Sequence, residues 1–146
     1  MKNKVRAVID TNVAVSAVLL PNSVSRQAFD FAVLQAQLLV SEETLAELGE
    51  VLSRPKFNKY VSESLRLEFF AALVRKADVI QVTDVITDCR DKKDNKFLEL
   101  AISGKASHII SGDNDLLVLN PFRGIVISSP AAFLEMCKST SIQLTS

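Results

Sequence analysis

Two aspartates follow apolar runs of the kind that form buried strands. Asp10 comes directly after Val5–Ile9, and Asp113 follows the 107–110 run after a Ser111-Gly112 turn. Ligand sites in open parallel sheets lie beyond the carboxyl ends of the strands, which would bring both carboxylates to one edge. A single Asp after a strand also suits an ordinary turn. Two at matched positions favour a shared site.

Two predicted helices supply further acids. At about 100° per residue, Asp94 projects near the middle of the apolar stripe of its helix, although a helix N-cap is the competing interpretation. In the helix after Ser41, Glu47 lies nearest the apolar boundary, about 40° from Val51. Glu47 is therefore the acid of that helix best placed to reach a cleft.

Converging carboxylates need a counter-charge, because they cannot all stay ionised close together without one. His108 is the single histidine, and Cys89 and Cys137 lie far apart in the sequence, so no zinc-ligand spacing is present. An oxygen-rich acidic site suits Mg²⁺ or Mn²⁺. The chemistry expected of such a site is hydrolysis of a phosphate ester by a metal-activated water.

Alternating apolar runs and helical patterns predict the elements that would position these acids. The fold class expected is α/β, a three-layer α/β/α sandwich with a central parallel sheet of about five short strands. Strands are predicted at 5–9, 38–40, 79–82, 107–110 and 125–127. Helices are predicted at 13–20, 25–36, 41–54, 62–77, 94–103 and 131–138. Residues 1–146 are expected to form one domain, with a frayed tail at 139–146.

Composition narrows the class of partner. The chain has 146 residues, is 48% hydrophobic and 23% charged, and carries a formal net charge of zero. A protein that coats nucleic acid by charge alone is usually strongly basic, so that class is disfavoured. Local basic clusters occur at 54–59 and 90–96, and each suits either a solvated surface or phosphate contact. The sequence shows no signal peptide or membrane span, so a cytoplasmic location is expected.

Four segments, in this order and spacing, resemble the PIN-domain family. They read VIDTNV at 8–13, ETLAEL at 43–48, DKKDNKFLELA at 91–101 and ISGDNDLL at 110–117. The resemblance spans residues 5–130. It is strongest to the VapC-like branch, described as the toxins of toxin–antitoxin pairs.

The resemblance implies a role for each matching residue. The catalytic, metal-binding acids would be Asp10, Glu47, Asp94 and Asp113. Asp115 would be an additional metal ligand or a turn residue. The supporting polar groups would be Asn12, Ser111 and Asp91. We expect the lysines that flank Asp94 to bind substrate: Lys92, Lys93 and Lys96.

The resemblance also implies an activity and partners. It implies an endoribonuclease that uses Mg²⁺ or Mn²⁺, acts on RNA, pairs with an antitoxin protein and forms a homodimer. A haloacid dehalogenase-type phosphatase is one alternative, but it generally needs a second Asp where this chain has Asn12. A receiver-like signalling module would need a Lys after a late strand, and none follows 125–127. A PIN fold that serves as an RNA- or protein-binding scaffold with little turnover is the third alternative.

Overall fold

The computed structural model describes the backbone of residues 5–145 and the side chains of residues 5–139. Within that part of the chain, a five-stranded parallel sheet has the order β3-β2-β1-β4-β5. Its strands are Val5–Ile9 (β1), Ala36–Val40 (β2), Asp78–Val79 (β3), His108–Ile110 (β4) and Val126–Ser128 (β5). The helices are Thr11–Leu19 (α1), Val24–Gln35 (α2), Glu42–Leu52 (α3), Glu63–Lys76 (α4), Asn95–Ser103 (α5), Asn114–Leu117 (α6) and Pro130–Thr145 (α7).

Neighbouring residues on each central strand belong to different apolar clusters. Ala7 and Leu38 pack with residues of α1, α2, α3 and α7, whereas Val8 and Leu39 pack with residues of α5. Side chains alternate between the two faces of a strand, so the two clusters cover opposite faces of the sheet. The predicted three-layer α/β/α sandwich with a parallel sheet is therefore confirmed.

Capping side chains start the helices near the site. Ser41 caps α3 with a capping box, in which its hydroxyl oxygen accepts a hydrogen bond from the Thr44 amide and the Thr44 hydroxyl oxygen accepts one from the Ser41 amide. Ser129 accepts from the Ala132 amide at 3.1 Å, just ahead of Pro130. Such caps satisfy amides that have no partner inside the helix. These two caps fix where α3 and α7 begin, close to the starts of the helices predicted at 41–54 and 131–138.

The third strand is shorter than the predicted 79–82. Only Asp78–Val79 pairs with β2, after which the Ile80 amide donates to the Val40 carbonyl at 2.7 Å. The ladder stops there because β2 ends at Val40 and the chain turns into α3. Ile80 and Val82 still pack against the core, which explains the strand-like apolar alternation of this extended loop.

The last helix is longer than predicted. Helix α7 continues through residues 139–145, beyond the predicted end at 138, and Ser146 lies outside the described residues, as do residues 1–4. Ser and Thr have modest helix propensity, which suggested an earlier end. However, the segment contains no Gly or Pro that would stop the helix. Among the described residues, no helix has the length and apolar character needed to span a bilayer.

Candidate active site

Asp10 lies at the carboxyl end of β1, where it also caps α1. Its Oδ1 atom accepts from the Val13 amide at 2.8 Å, and its Oδ2 atom accepts from the Ser111 hydroxyl. The residue is only 4% exposed. Burial raises the pKa of the Asp10 carboxyl, the two hydrogen bonds oppose that rise, and the nearby Asp113 adds to it.

Ser111 joins the ends of β1 and β4. Besides donating to Asp10, its Oγ atom accepts from the Asp113 amide at 3.0 Å. Asp113 in turn caps the short helix α6, because its Oδ1 atom accepts from the Asp115 amide at 2.8 Å. One buried hydroxyl therefore sets the spacing between two carboxylates that are about a hundred residues apart in sequence.

Asp94 stands at the N-cap position of α5, but its side chain makes no capping bond. Its Oδ2 atom is buried and has no hydrogen-bond partner among the described residues. Burial, together with the carboxyls of Asp113, Asp91 and Asp10, raises the pKa of Asp94 to about 7. The capping alternative is therefore wrong for this side chain, which faces other acids instead.

Glu47 projects from the middle of α3 toward α1 and α5. Its carboxylate accepts from the Thr11 hydroxyl and, at 2.8 Å, from the ammonium of Lys96. Burial raises the pKa of Glu47, but these hydrogen bonds and the charge of Lys96 outweigh it, so the pKa lies below its ordinary value. Unlike Asp94, Glu47 is already compensated by the protein.

These side chains line one cleft of about 240 Å³. All four acids expected to be catalytic reach it, and Asn12, Asp91 and Lys93 also line it. The remaining lining residues are Thr11, Val51, Arg54 and Phe97. The cleft opens beyond the carboxyl ends of β1 and β4, where parallel sheets bind ligands.

Four of the predicted site residues lie outside the cleft lining. Ser111 is fully buried and positions Asp10 and Asp113. Asp115 lies in the first turn of α6, where its amide donates to the capping Oδ1 atom of Asp113. Lys92 is exposed beside the cleft, and the Lys96 ammonium is committed to Glu47.

The sequence of the chain matches a known family over most of its length. Residues 6–115 match the family described as PIN domain. An uncharacterized protein of Methanocaldococcus jannaschii is 35% identical over 121 residues, which cover 81% of this chain and 77% of the relative.

The chain belongs to the PIN-domain family. The PIN fold is also seen in solved structures of low sequence identity. VapBC2 from Rickettsia felis, bound to a DNA fragment from its promoter, matches with a TM-score of 0.56 at 12% identity, over 85% of this chain and 98% of that one. DNA-bound VapBC from Salmonella typhimurium matches with a TM-score of 0.56 at 15% identity, over 86% of this chain and 98% of that one. PAE2754 from Pyrobaculum aerophilum matches with a TM-score of 0.59 at 13% identity, over 92% of this chain and 90% of that one.

The acids of this PIN domain fit a hard divalent cation. Asp91, Asp94 and Asp113 can each turn one carboxylate oxygen to within 4.8 Å of the others. An exposed acidic group of this kind is common without a metal, but the buried, unpaired Asp94 Oδ2 atom lacks the partner that burial normally demands. Oxygen ligands with room for water suit Mg²⁺ or Mn²⁺.

Thr11 of the PIN cleft was not predicted from the sequence, and Arg54 was predicted only as part of a basic cluster that suited either a solvated surface or phosphate contact. The basic cluster at 54–59 was visible in the sequence, but Arg54 lies beyond the end of α3, so its place in the cleft depends on the turn that follows that helix. Thr11 lies beside Asp10 in the first family segment, but its bond to Glu47 depends on how α1 packs against α3. No local pattern indicates that contact.

Proposed function

We propose that this PIN domain is a Mg²⁺- or Mn²⁺-dependent endoribonuclease. Family membership supports a nuclease-type hydrolase. The observation that carries the finer proposal is Asp94, whose buried Oδ2 atom and raised pKa mark a carboxylate that lacks a counter-charge. A bound divalent cation would supply that charge, lower the pKa of a water and stabilise the leaving oxygen.

Each polar residue of the cleft has its own role in the proposed reaction. Asp94 and Asp113, with Asp91 beside them, would hold the cation, and Asp10 would stand behind them, fixed by Ser111 and the Val13 amide. Glu47 is held by Thr11 and Lys96 and kept ionised, so it is placed to orient a water or accept a proton. Asn12 lines the cleft and would contact that water or the substrate.

An RNA cleavage assay tests the activity. Structured and unstructured RNAs are incubated with the protein in Mg²⁺, in Mn²⁺ and in EDTA. We expect cleavage only with metal, and products that end in a 5′-phosphate and a 3′-hydroxyl, because water attacks instead of the 2′-hydroxyl.

Asp94→Asn keeps the shape of the side chain and should lower the cleavage rate by at least about a hundredfold, as expected for the loss of a group that stabilises charge in the transition state. Asp30→Asn is the matched control, because Asp30 is 57% exposed on α2 and pairs only with Arg26. Cleavage that persists in EDTA or in Asp94→Asn would refute the proposal. Turnover of a small phosphate ester without RNA cleavage would favour the phosphatase, and binding without turnover would favour the scaffold.

We also propose that the protein acts as the toxin of a toxin–antitoxin pair. The support is the shared fold with chains of VapBC complexes. Induced expression should arrest growth, and Asp94→Asn or co-expression of a small protein from the adjacent gene should relieve the arrest. Light scattering of the purified protein, alone and with that partner, would report both the expected homodimer and the complex. Growth arrest by Asp94→Asn equal to that of the parent would contradict a toxic nuclease.

A further inference from the structure

The connection between α3 and α4, residues 53–61, is the most basic stretch beside the cleft. We call this segment the basic arm. It contains Arg54, Lys56 and Lys59 and no acidic residue, although the whole chain has a net charge of zero. A local charge of +3 is the kind of feature that attracts a phosphate backbone.

The basic arm begins inside the cleft. Arg54 lines it together with the four acids. Its guanidinium pairs with Glu50 at 2.9 Å, but the two side chains are 45% and 62% exposed. Exposed ion pairs of this kind contribute little, so the guanidinium can exchange Glu50 for a phosphate at little cost.

A buried arginine fixes the shape of the basic arm. Arg66 is fully buried, and its guanidinium donates to the carbonyls of Leu52, Arg54 and Val61. These carbonyls lie at both ends of the arm, and Phe57 packs against the core between them. The arm is therefore held in one shape, which lowers the entropic cost of binding a ligand on it.

The outer end of the basic arm presents an aromatic ring to solvent. Tyr60 is 56% exposed, and the Lys59 ammonium lies 5.2 Å from the centre of its ring. Tyr60 lies six positions after Arg54, beyond the 3-10 turn Pro55–Phe57. An exposed aromatic ring flanked by cations is the arrangement that single-strand binding proteins use to stack bases.

We propose that the basic arm binds single-stranded nucleic acid and leads it into the cleft, with an unpaired base stacked on Tyr60 and the backbone phosphates bound by Arg54, Lys56 and Lys59. Bases in a duplex are stacked on each other and cannot cover the ring, so the site would distinguish single strands from duplexes. The inference rests on the ribonuclease function proposed above for the role of the bound strand as substrate. The binding itself does not require turnover.

Fluorescence anisotropy of the full chain in EDTA separates binding from cleavage. The probes are a labelled RNA of about 12 nucleotides, the DNA of the same sequence, and the duplex of each. Tyr60→Ala should weaken single-strand binding by about fivefold to about a hundredfold, the loss expected when one stacked base is released. Tyr60→Phe keeps the ring and should bind like the parent, and duplex binding should be the same for parent and Tyr60→Ala.

A charge-matched pair of variants tests the phosphate contacts. Lys56→Gln/Lys59→Gln should weaken binding and flatten its salt dependence. Lys76→Gln/Lys138→Gln removes the same charge from exposed positions on α4 and α7 and should do neither. Equal losses in the two double variants, unchanged binding by Tyr60→Ala, or no binding by the parent would overturn the proposal.

The cleavage assay distinguishes failure of the basic-arm proposal from failure of the proposed ribonuclease function. Binding that depends on Tyr60, in a protein that cuts no RNA with Mg²⁺ or Mn²⁺, would support the basic arm and refute the nuclease. Metal-dependent cleavage with the same dissociation constant and KM in parent and Tyr60→Ala would refute the basic arm and leave the nuclease standing.

Discussion

Asp94 links the charge of the site to the stability of the protein at the level of a single residue. Its pKa is raised to about 7 in the folded state, first by burial and then by the neighbouring carboxyls. The folded state therefore holds a proton that the unfolded chain, with an ordinary Asp pKa near 3.8, has already released. Stability falls as pH rises wherever the folded state binds more protons than the unfolded state.

We expect the metal-free protein to lose thermal stability as pH rises from about 4 to about 7, through the window between the two pKa values of Asp94. Asp94→Asn cannot ionise, so its melting temperature should change less across that window. Melting curves in EDTA at a series of pH values provide the measurement. Parallel curves for the two proteins would show that Asp94 does not carry the pH dependence.

Lys96 holds Glu47 in its ionised form, since the ammonium lies 2.8 Å from the carboxylate and is 11% exposed. Replacing Lys96 with Gln removes that charge and should raise the pKa of Glu47. The acidic limb of the pH profile for kcat should then move to higher pH. Lys92→Gln/Lys93→Gln should instead raise KM and move the limb less, because both side chains are exposed and the charge of Lys93 lowers the pKa of Glu47 less than Lys96 does. If Lys96→Gln raised KM and left the acidic limb unmoved, Lys96 would bind substrate, as the sequence predicted, and would not control the ionisation of Glu47.

At the scale of elements, a substitution in the turn between β4 and α6 can test whether the acids share one site. Asp113→Asn removes a charge that faces Asp94 and Asp10, while Asn still caps a helix about as well as Asp. In metal-free buffer near neutral pH, the variant should therefore melt at a higher temperature than the parent. Added Mg²⁺ or Mn²⁺ should raise the melting temperature of the parent more than that of the variant, because a ligand stabilises the state that binds it.

Asp115→Asn is the control for that experiment, since Asp115 lies in the same short helix but does not line the cleft. Its metal-induced shift should equal that of the parent. If Asp113 were only a turn residue, Asp113→Asn would leave the melting temperature in metal-free buffer nearly unchanged, because Asn caps about as well as Asp, and would keep the full metal response. Thermal melts across a metal titration distinguish the two outcomes.

The strands and long helices were readable from the sequence because each carries a strong local signal. Val5–Ile9 is a short apolar run that ends at an acid, and the serine before α3 is a standard cap. The extent of β3 was not readable, because it depends on where the partner strand ends. The helix α6 has four residues, too few to show a periodic pattern.

The site was partly readable for the same reason. Asp10 and Asp113 follow strands, so their shared edge follows from the parallel topology. The pairing of Lys96 with Glu47 depends on the angle at which α5 packs beside α3, which no spacing within one helix reveals. The basic clusters were visible in the sequence, but their positions at the rim depend on the assembled cleft.

In the whole molecule, which has a net charge of zero, five acids and two cations, Arg54 and Lys93, line the cleft. Each phosphate contact to a single strand contributes about −0.7 to the slope of log K against log salt. We expect Lys56→Gln/Lys59→Gln and Lys92→Gln/Lys93→Gln each to reduce that slope by about 1.4, and the quadruple variant to combine both changes. The measurement is the affinity for a single-stranded RNA over a series of salt concentrations. If the salt dependence of binding changed in only one of the two double variants, the RNA would contact only that pair of lysines.

The hydrogen bond from Ser111 to Asp10 also determines when the cleft can form during translation. The two residues are separated by 101 positions, and β4 inserts beside β1 only after nearly everything between them has been made. At about 5–20 residues per second, a ribosome needs roughly 5–20 seconds to add the 101 residues from Asp10 to Ser111. Until then the growing chain has one edge of its acidic cleft and lacks the other. A polypeptide that cuts RNA would thus be harmless to the messenger from which it is being read until Ser111 has been added, and would acquire its activity only once β4 has paired with β1.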